Sequence, residues 1–171
     1  AWPLDLLFNE AGQFIGFTMA AAKEGSDELC AFTHKTRRLR HHPHTTRRTF
    51  YRIAINLCHA LKSVHELGHV VGDFNPNNIM CRENGAVTLI DTDSFHIREK
   101  SSYIVYPCEV GMNDYIAPEI QNMNRREITW RKEHDYFALA VHLFQILLEN
   151  RHPFSATPRR GVAPAEYACK L

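Results

Sequence analysis

One stretch limits what this chain can fold into more than any other. Between Asp135 and Glu149 the apolar side chains Phe137, Leu139, Val141, Leu143, Phe144, Ile146, Leu147 and Leu148 fall on every side of a helix. A helix apolar all round belongs at the centre of a domain. The remaining segments must then wrap it, and Pro153 is placed to end it. The chain is long enough for that, since 171 residues, 44% hydrophobic and 23% charged, is an ordinary single-domain balance. His142 and Gln145 interrupt the apolar run far below the ~20 residues that cross a bilayer, so no membrane partner is expected.

The other segments read as a mixture of helix and strand. Leu4–Phe8 and Gln13–Met19 flank a turn signal at Asn9–Gly12 and predict a β-hairpin. Ser26 is placed to cap a short helix through Phe32. Residues 34–48 are basic, carry His41-His42-Pro43-His44 and have no apolar period, which predicts a loop. Phe50, Ile53, Ala54, Leu57, Leu61 and Val64 recur at three- and four-residue steps. That is an amphipathic helix, with Thr49 as its start and Gly68 as its stop. His69–Val71 is a minimal strand. Ile79–Arg82 and Ala86–Asp91 flank Glu83-Asn84-Gly85, and Asn-Gly between two apolar runs signals a tight hairpin. Residues 98–118 are irregular and carry Tyr103, Tyr106 and Tyr115, which are expected to pack that segment rather than to be modified.

Charge is uneven although it sums to only +1. No acid lies between Glu28 and Glu66, yet Lys35, Arg37, Arg38, Arg40, Arg47, Arg48, Arg52 and Lys62 all do, leaving twelve positive charges against nineteen acids elsewhere. The overall balance argues against a nucleic-acid binder built on global charge. The block 35–52 is a candidate docking surface for an acidic partner or nucleic acid, but a solvated loop is the preferred reading. The five Cys (Cys30, Cys58, Cys81, Cys108, Cys169) are odd in number and form no C-x-x-C. They exclude a disulfide framework and a zinc ribbon, fit a reducing, cytoplasmic setting, and are expected to be small buried hydrophobes. His41, His42 and His44 have no Cys or acid nearby in sequence, so no metal is expected there.

Two motif readings compete for the middle of the chain. His65-Glu66-Leu67-Gly68-His69 satisfies the H-E-x-x-H of zinc proteases, with Glu66 as general base. Against it, Asn75 is a poor third ligand, and Gly68 with Val70-Val71 suggests that the helix ends inside the motif. The other reading uses spacing over the whole second half. Asp73 is followed five residues later by Asn78, and after a hairpin comes Asp91. Two Asp and an Asn able to converge are an oxygen-rich set suited to holding Mg²⁺ against phosphates and orienting a hydroxyl.

With these residues in order, the chain resembles the protein kinase-like family. Asp73…Asn78 is similar to the H-R-D-x-x-x-x-N catalytic loop, Asp91 to the Asp of D-F-G, and Ala117-Pro118-Glu119 is A-P-E itself. Asp135-Tyr136-Phe137-Ala138-Leu139-Ala140 resembles the start of the family's central helix, and His152-Pro153-Phe154 resembles the Pro-Phe beyond that helix. The Val71-Gly72-Asp73 and Asp91-Thr92-Asp93 variants resemble bacterial atypical serine/threonine kinases. The resemblance implies an α+β protein kinase-like fold. Residues 1–22 would be the end of a small lobe and its hinge, a remnant β-hairpin, and residues 23–171 a mostly helical, partial large lobe. It implies ATP- and Mg²⁺- (or Mn²⁺-) dependent phosphoryl transfer to a protein Ser/Thr hydroxyl. Asp73 would accept the hydroxyl proton, with Asn78 beside it, and Asn78 and Asp91 would hold the metal. Met19 would be the gatekeeper, Ala20 and Ala22 would offer backbone groups to adenine, and Met80 and Ile90 would line its floor. Glu119 and Asp135 would be structural.

The departures are as informative. The His-Arg before the catalytic Asp is Val71-Gly72, which removes the usual receptor for an activation-segment phosphate. Asn75 replaces the catalytic-loop Lys, Thr92 replaces the Phe of D-F-G, and Met112, which replaces a Thr, has no hydroxyl for the catalytic Asp. No Gly-rich phosphate loop and no V-A-I-K lysine occur, so the chain reads as the middle of a kinase fold, expected to be inactive alone and to leave Phe8, Phe14 and Phe17 partly uncovered. A pseudokinase binding module and an aminoglycoside-type small-molecule phosphotransferase are the alternatives.

Overall fold

In the computed structural model, residues 2–22, 24–99, 101–102 and 104–155 are described. Tyr103 and Cys169 lie outside them. The elements run β1 (Pro3–Phe8), β2 (Phe14–Met19), β3 (Asp27–Glu28), α1 (Leu29–Thr33), α2 (Lys35–His41), α3 (Arg47–Glu66), β4 (Ile79–Cys81), β5 (Val87–Leu89), β6 (Ile97–Arg98), β7 (Val105–Tyr106) and α4 (Lys132–Leu147). This is an α+β architecture: two long helices, α3 and α4, packed together, with small antiparallel sheets beside them.

The apolar stripe of α3 is the spine of the core. Ile53, Leu57, Leu61 and Val64 are buried against Leu29, Phe32, Phe74, Ile79, Ala138, Val141 and Ile146. The helix begins at Arg47, ahead of the expected Thr49. Thr46 is the N-cap, and Thr49 is the residue whose hydroxyl accepts from the Thr46 N–H at 3.3 Å. It ends at Glu66, with Gly68 beyond it in the left-handed region at φ 88°.

The Asn84-Gly85 turn forms as expected, pairing Ile79 with Leu89, Met80 with Thr88 and Cys81 with Val87. It is pressed onto α3. Asn56 Nδ2 donates to the Gly85 carbonyl at 2.8 Å, and Gly85 has no room for a Cβ because Arg52 lies there. β3 adds a third strand through Glu28 opposite Met80, so Ser26 caps no helix and α1 starts only at Leu29. His69–Val71 contributes not a strand but one bridge, Val70 to His96.

The basic stretch departs most from the sequence reading. Residues 35–41 form helix α2, not loop. Its lack of an apolar period is explained by the residue it buries. Arg38 is buried, its Nη2 bonds Glu149 at 3.0 Å, its Nη1 donates to the Phe32 carbonyl at 3.2 Å, and its guanidinium lies 5.1 Å from the Phe50 ring centre. His42 is also buried, stacked 4.1 Å from Phe32, with Nε2 3.2 Å from Asp27 and Nδ1 3.6 Å from Glu83. The acids that sequence proximity did not supply arrive through the fold.

Helix α4 is only half as central as its composition demands. Ala138, Val141, His142, Gln145 and Ile146 are buried, yet Phe144, Leu147 and Leu148 on the other side are exposed among the described residues. It also stops before Pro153. Leu147 is its last residue, and Glu149 and Asn150 then take φ of 51° and 66°, turning the chain away. The cysteine expectation holds for Cys81 and Cys108, whereas Cys58 faces solvent and Cys30 is half-buried. Tyr115 is buried with its hydroxyl 3.0 Å from Gln145 Oε1, but Tyr106 is exposed.

His142 is the most deeply buried titratable group of α4. It is stacked on Tyr115, edge-on to Phe74, with its Nε2–H donating to the Phe74 carbonyl at 2.8 Å. Nδ1 is buried with no hydrogen-bond partner, so the neutral ring fits and the cation does not. Burial lowers its pKa from 6.5 to about 4. The unfolded chain therefore binds the extra proton first, and stability present above pH 6.5 is lost as pH falls toward 4. Urea unfolding should show a loss of about 2 kcal/mol between pH 7 and pH 5 from this group. His142→Gln should flatten that slope, and an unchanged slope in the variant would remove His142 as its origin.

Candidate active site

The loop after α3 carries the first group of polar residues. It is anchored from α4: Asp135 is almost fully buried, its Oδ2 accepting from the Val71 N–H and from His65 Nε2, both at 2.8 Å, and its Oδ1 accepting from the Gly72 N–H at 2.9 Å. Those bonds fix the backbone immediately before Asp73. They also dispose of the zinc reading. His65 is turned inward onto Asp135, α3 ends before His69, and His69 Nδ1 accepts from the Arg98 N–H at 3.3 Å.

Asp73 and Asn78 come together. Asn78 Nδ2 donates to the Asp73 carbonyl at 3.1 Å and to its Oδ2 at 3.4 Å. Between them, Asn75 Oδ1 accepts from the Asn77 N–H at 2.9 Å and caps a single 3₁₀ turn over Pro76–Asn78. A lysine at 75 could not make that cap. The Ile90 N–H donates to the Asn78 carbonyl at 3.0 Å, tying the end of β5 to this loop and bringing Asp91 alongside. Asp91 has left-handed backbone, φ 59° and ψ 46°, a conformation Asp and Asn tolerate better than other side chains.

A cavity of about 610 Å³ opens between these groups and the strand end of the first hairpin. Met19, Ala20, Ala21, Ala22 and Ile90 line one part, and Asn78, Asp91 and Asp93 the other. Of the sequence-predicted residues, Met19, Ala20, Ala22, Ile90, Asn78 and Asp91 thus share one cavity. Asp73 reaches it through Asn78. Met80 does not line it. On β4 it is paired between Glu28 and Thr88, a strand that its apolar character predicted but whose neighbours it did not. Asp93, two residues on from Asp91, lines the same cavity and adds a further carboxylate to it.

The segment after β7 packs as a second cluster. Cys108, Ile116, Ala117, Ile120, Ile128 and Trp130 are buried together with Val70. Met112, expected to leave Asp73 without a donor, supplies one from its backbone: its N–H lies 3.3 Å from Asp73 Oδ1. Glu119 is largely exposed, 3.9 Å from His134 Nε2.

The chain thus carries a loop pinned by a helix carboxylate, an Asp–Asn pair near a strand-end Asp, and Ala117 buried ahead of an exposed Glu119. Residues 15–167 match the model of the protein kinase domain. The chain belongs to the protein kinase family. This kinase domain is 35% identical over 160 residues to "Protein kinase YegI" of Escherichia coli strain K12, covering 92% of the chain but 24% of that protein. Over 98 residues it is 33% identical to "Serine/threonine-protein kinase MRCK gamma" of Mus musculus, covering 57% of the chain and 6% of that relative. The domain therefore spans about a quarter of the length of the bacterial relatives it matches. No helix among its described residues is long and apolar enough to cross a membrane.

Proposed function

We propose that this domain transfers the terminal phosphoryl group of ATP to a serine or threonine hydroxyl of a protein. Residues 1–22 act as the end of a small lobe and hinge, and residues 23–171 as a partial large lobe. The observation that carries this reading is the two-sided cavity. An apolar wall of Met19, Ala20, Ala22 and Ile90 suits a purine, and hard oxygen donors face it from Asn78 and Asp91. Those donors fit Mg²⁺ or Mn²⁺, which would neutralise phosphate charge there. Asp73, hydrogen-bonded to Asn78, is the group that orients the acceptor hydroxyl and takes its proton.

One observation favours a second reading, a nucleotide-binding module without turnover. Among the described residues lining the cavity none is basic, and Asp93 adds a further carboxylate. ATP titration of the full-length protein with and without Mg²⁺ tests the site. Binding should require the metal, and Asp91→Asn should weaken it by ~10-fold or more. Asn accepts the left-handed backbone at 91, so the variant changes charge and not conformation. Metal-independent ATP binding, equal in parent and variant, would remove Asn78 and Asp91 from the metal site. Metal-dependent binding without phosphotransfer would select the binding module.

A further inference from the structure

Gly72 stands where the family's catalytic loop carries an Arg, and the space an Arg would need is already filled. A Cβ on Gly72 would lie 2.7 Å from Cys108 Sγ and 2.8 Å from Cys108 Cβ, and the residue has φ 73°. Cys108 is fully buried, and the Trp130 indole closes over the same spot. The Trp130 Nε1–H donates to the Cys108 carbonyl at 3.0 Å, and the Cys108 thiol donates to the Val110 carbonyl at 3.2 Å. Burial pushes that thiol up to about 11, so it remains a donor at neutral pH. From Cys108 the chain runs on to Met112, whose N–H meets Asp73 Oδ1. On the facing loop, Gly72 is itself held by Asp135. Two points of segment 108–112, four residues apart, therefore rest on two adjacent residues of the catalytic loop: Cys108 on Gly72, and Met112 on Asp73.

We propose that Cys108, seated on Gly72 and held by Trp130, is a positioning residue that fixes segment 108–112 against the catalytic loop by packing, and so sets the Met112 amide on Asp73 without a phosphate. The role rests on the reading of Asp73 given above. It makes the missing Arg an exchange rather than a loss: a dry contact takes over a task that charge pairing performs elsewhere. The segment is then held in one arrangement whether or not any of its side chains is modified.

The test uses the full-length protein and two measurements. In Cys108→Ala, backbone amides of residues 108–114 should exchange ~10-fold faster or more, with α3 amides unchanged. The KM for a generic protein acceptor should rise ~10-fold while the KM for ATP stays at the parent value. Cys108→Ser, which keeps a donor and nearly the volume, should stay close to the parent in both. Phosphatase treatment of the parent should change neither the exchange pattern nor turnover. Unchanged exchange in Cys108→Ala, or equal acceleration in α3, would overturn the proposal, the second outcome making Cys108 merely structural. A ten-fold loss of turnover or of segment protection on phosphatase treatment would overturn it as well. Should the parent transfer no phosphoryl group, the functional reading fails, while amide exchange still decides the role of Cys108.

Discussion

Asp73→Asn should lower kcat by ~10²–10⁴-fold and leave ATP affinity within about 3-fold of the parent. The Asp73 carboxylate accepts from Asn78 Nδ2 on one oxygen and from the Met112 amide on the other. An amide in its place keeps one acceptor, turns an NH₂ toward another donor, and has no site for a proton. The cavity lining includes Asn78 but not Asp73, so nucleotide binding should survive the change. Steady-state kinetics beside ATP titration on the full-length protein separates the two effects. Parent-like turnover would take Asp73 out of the chemistry, and an equal loss of ATP affinity would move it into the nucleotide site.

The largest effect on stability is expected at Asp135. Its carboxylate, with almost no exposure, accepts from two backbone N–H groups and an imidazole. Asp135→Ala strands three buried donors at once and should destabilise by about 3–5 kcal/mol. Asp135→Asn keeps a single acceptor oxygen and should cost about 1–3 kcal/mol. His65→Ala should fall below both, because the carboxylate keeps its two backbone partners. Urea midpoints rank the three, and an Asp135→Ala protein within about 1 kcal/mol of the parent would mean that the loop stands without its anchor.

What could be read from the chain depended on the distance over which each residue finds its partners. The stripe Ile53–Leu57–Leu61–Val64 and the Asn84-Gly85 turn are local codes, and both elements form as read. The order Asp73, Asn78, Asp91 was legible because its spacing along the chain resembles the family's motifs, and the fold gathers Asn78 and Asp91 at one cavity. Helix α2 was not legible. Its one buried side chain is an arginine whose acid, Glu149, comes from beyond α4. Composition predicted for α4 a burial on all sides that fails where Phe144 and Leu147 are exposed, so these two were misplaced. The seat of Cys108 on Gly72 leaves no periodic trace, since one partner is a missing side chain.

The first hairpin shares little of the packing that holds the other described elements. Every residue of β1 is exposed, and Phe8 and Phe14 meet chiefly each other. Trp2 at its base, edge-on to Phe95 and His69, is its aromatic tie to the core. Within these residues alone, a two-stranded ribbon with so little beneath it would open more readily than the packed core. Yet its last strand delivers Met19 and the alanines that wall the cavity. Any molecule that grips that wall needs it closed, so its apparent affinity would fall by whatever fraction of time the wall stood open. Whatever steadies this ribbon therefore tightens the site without touching it.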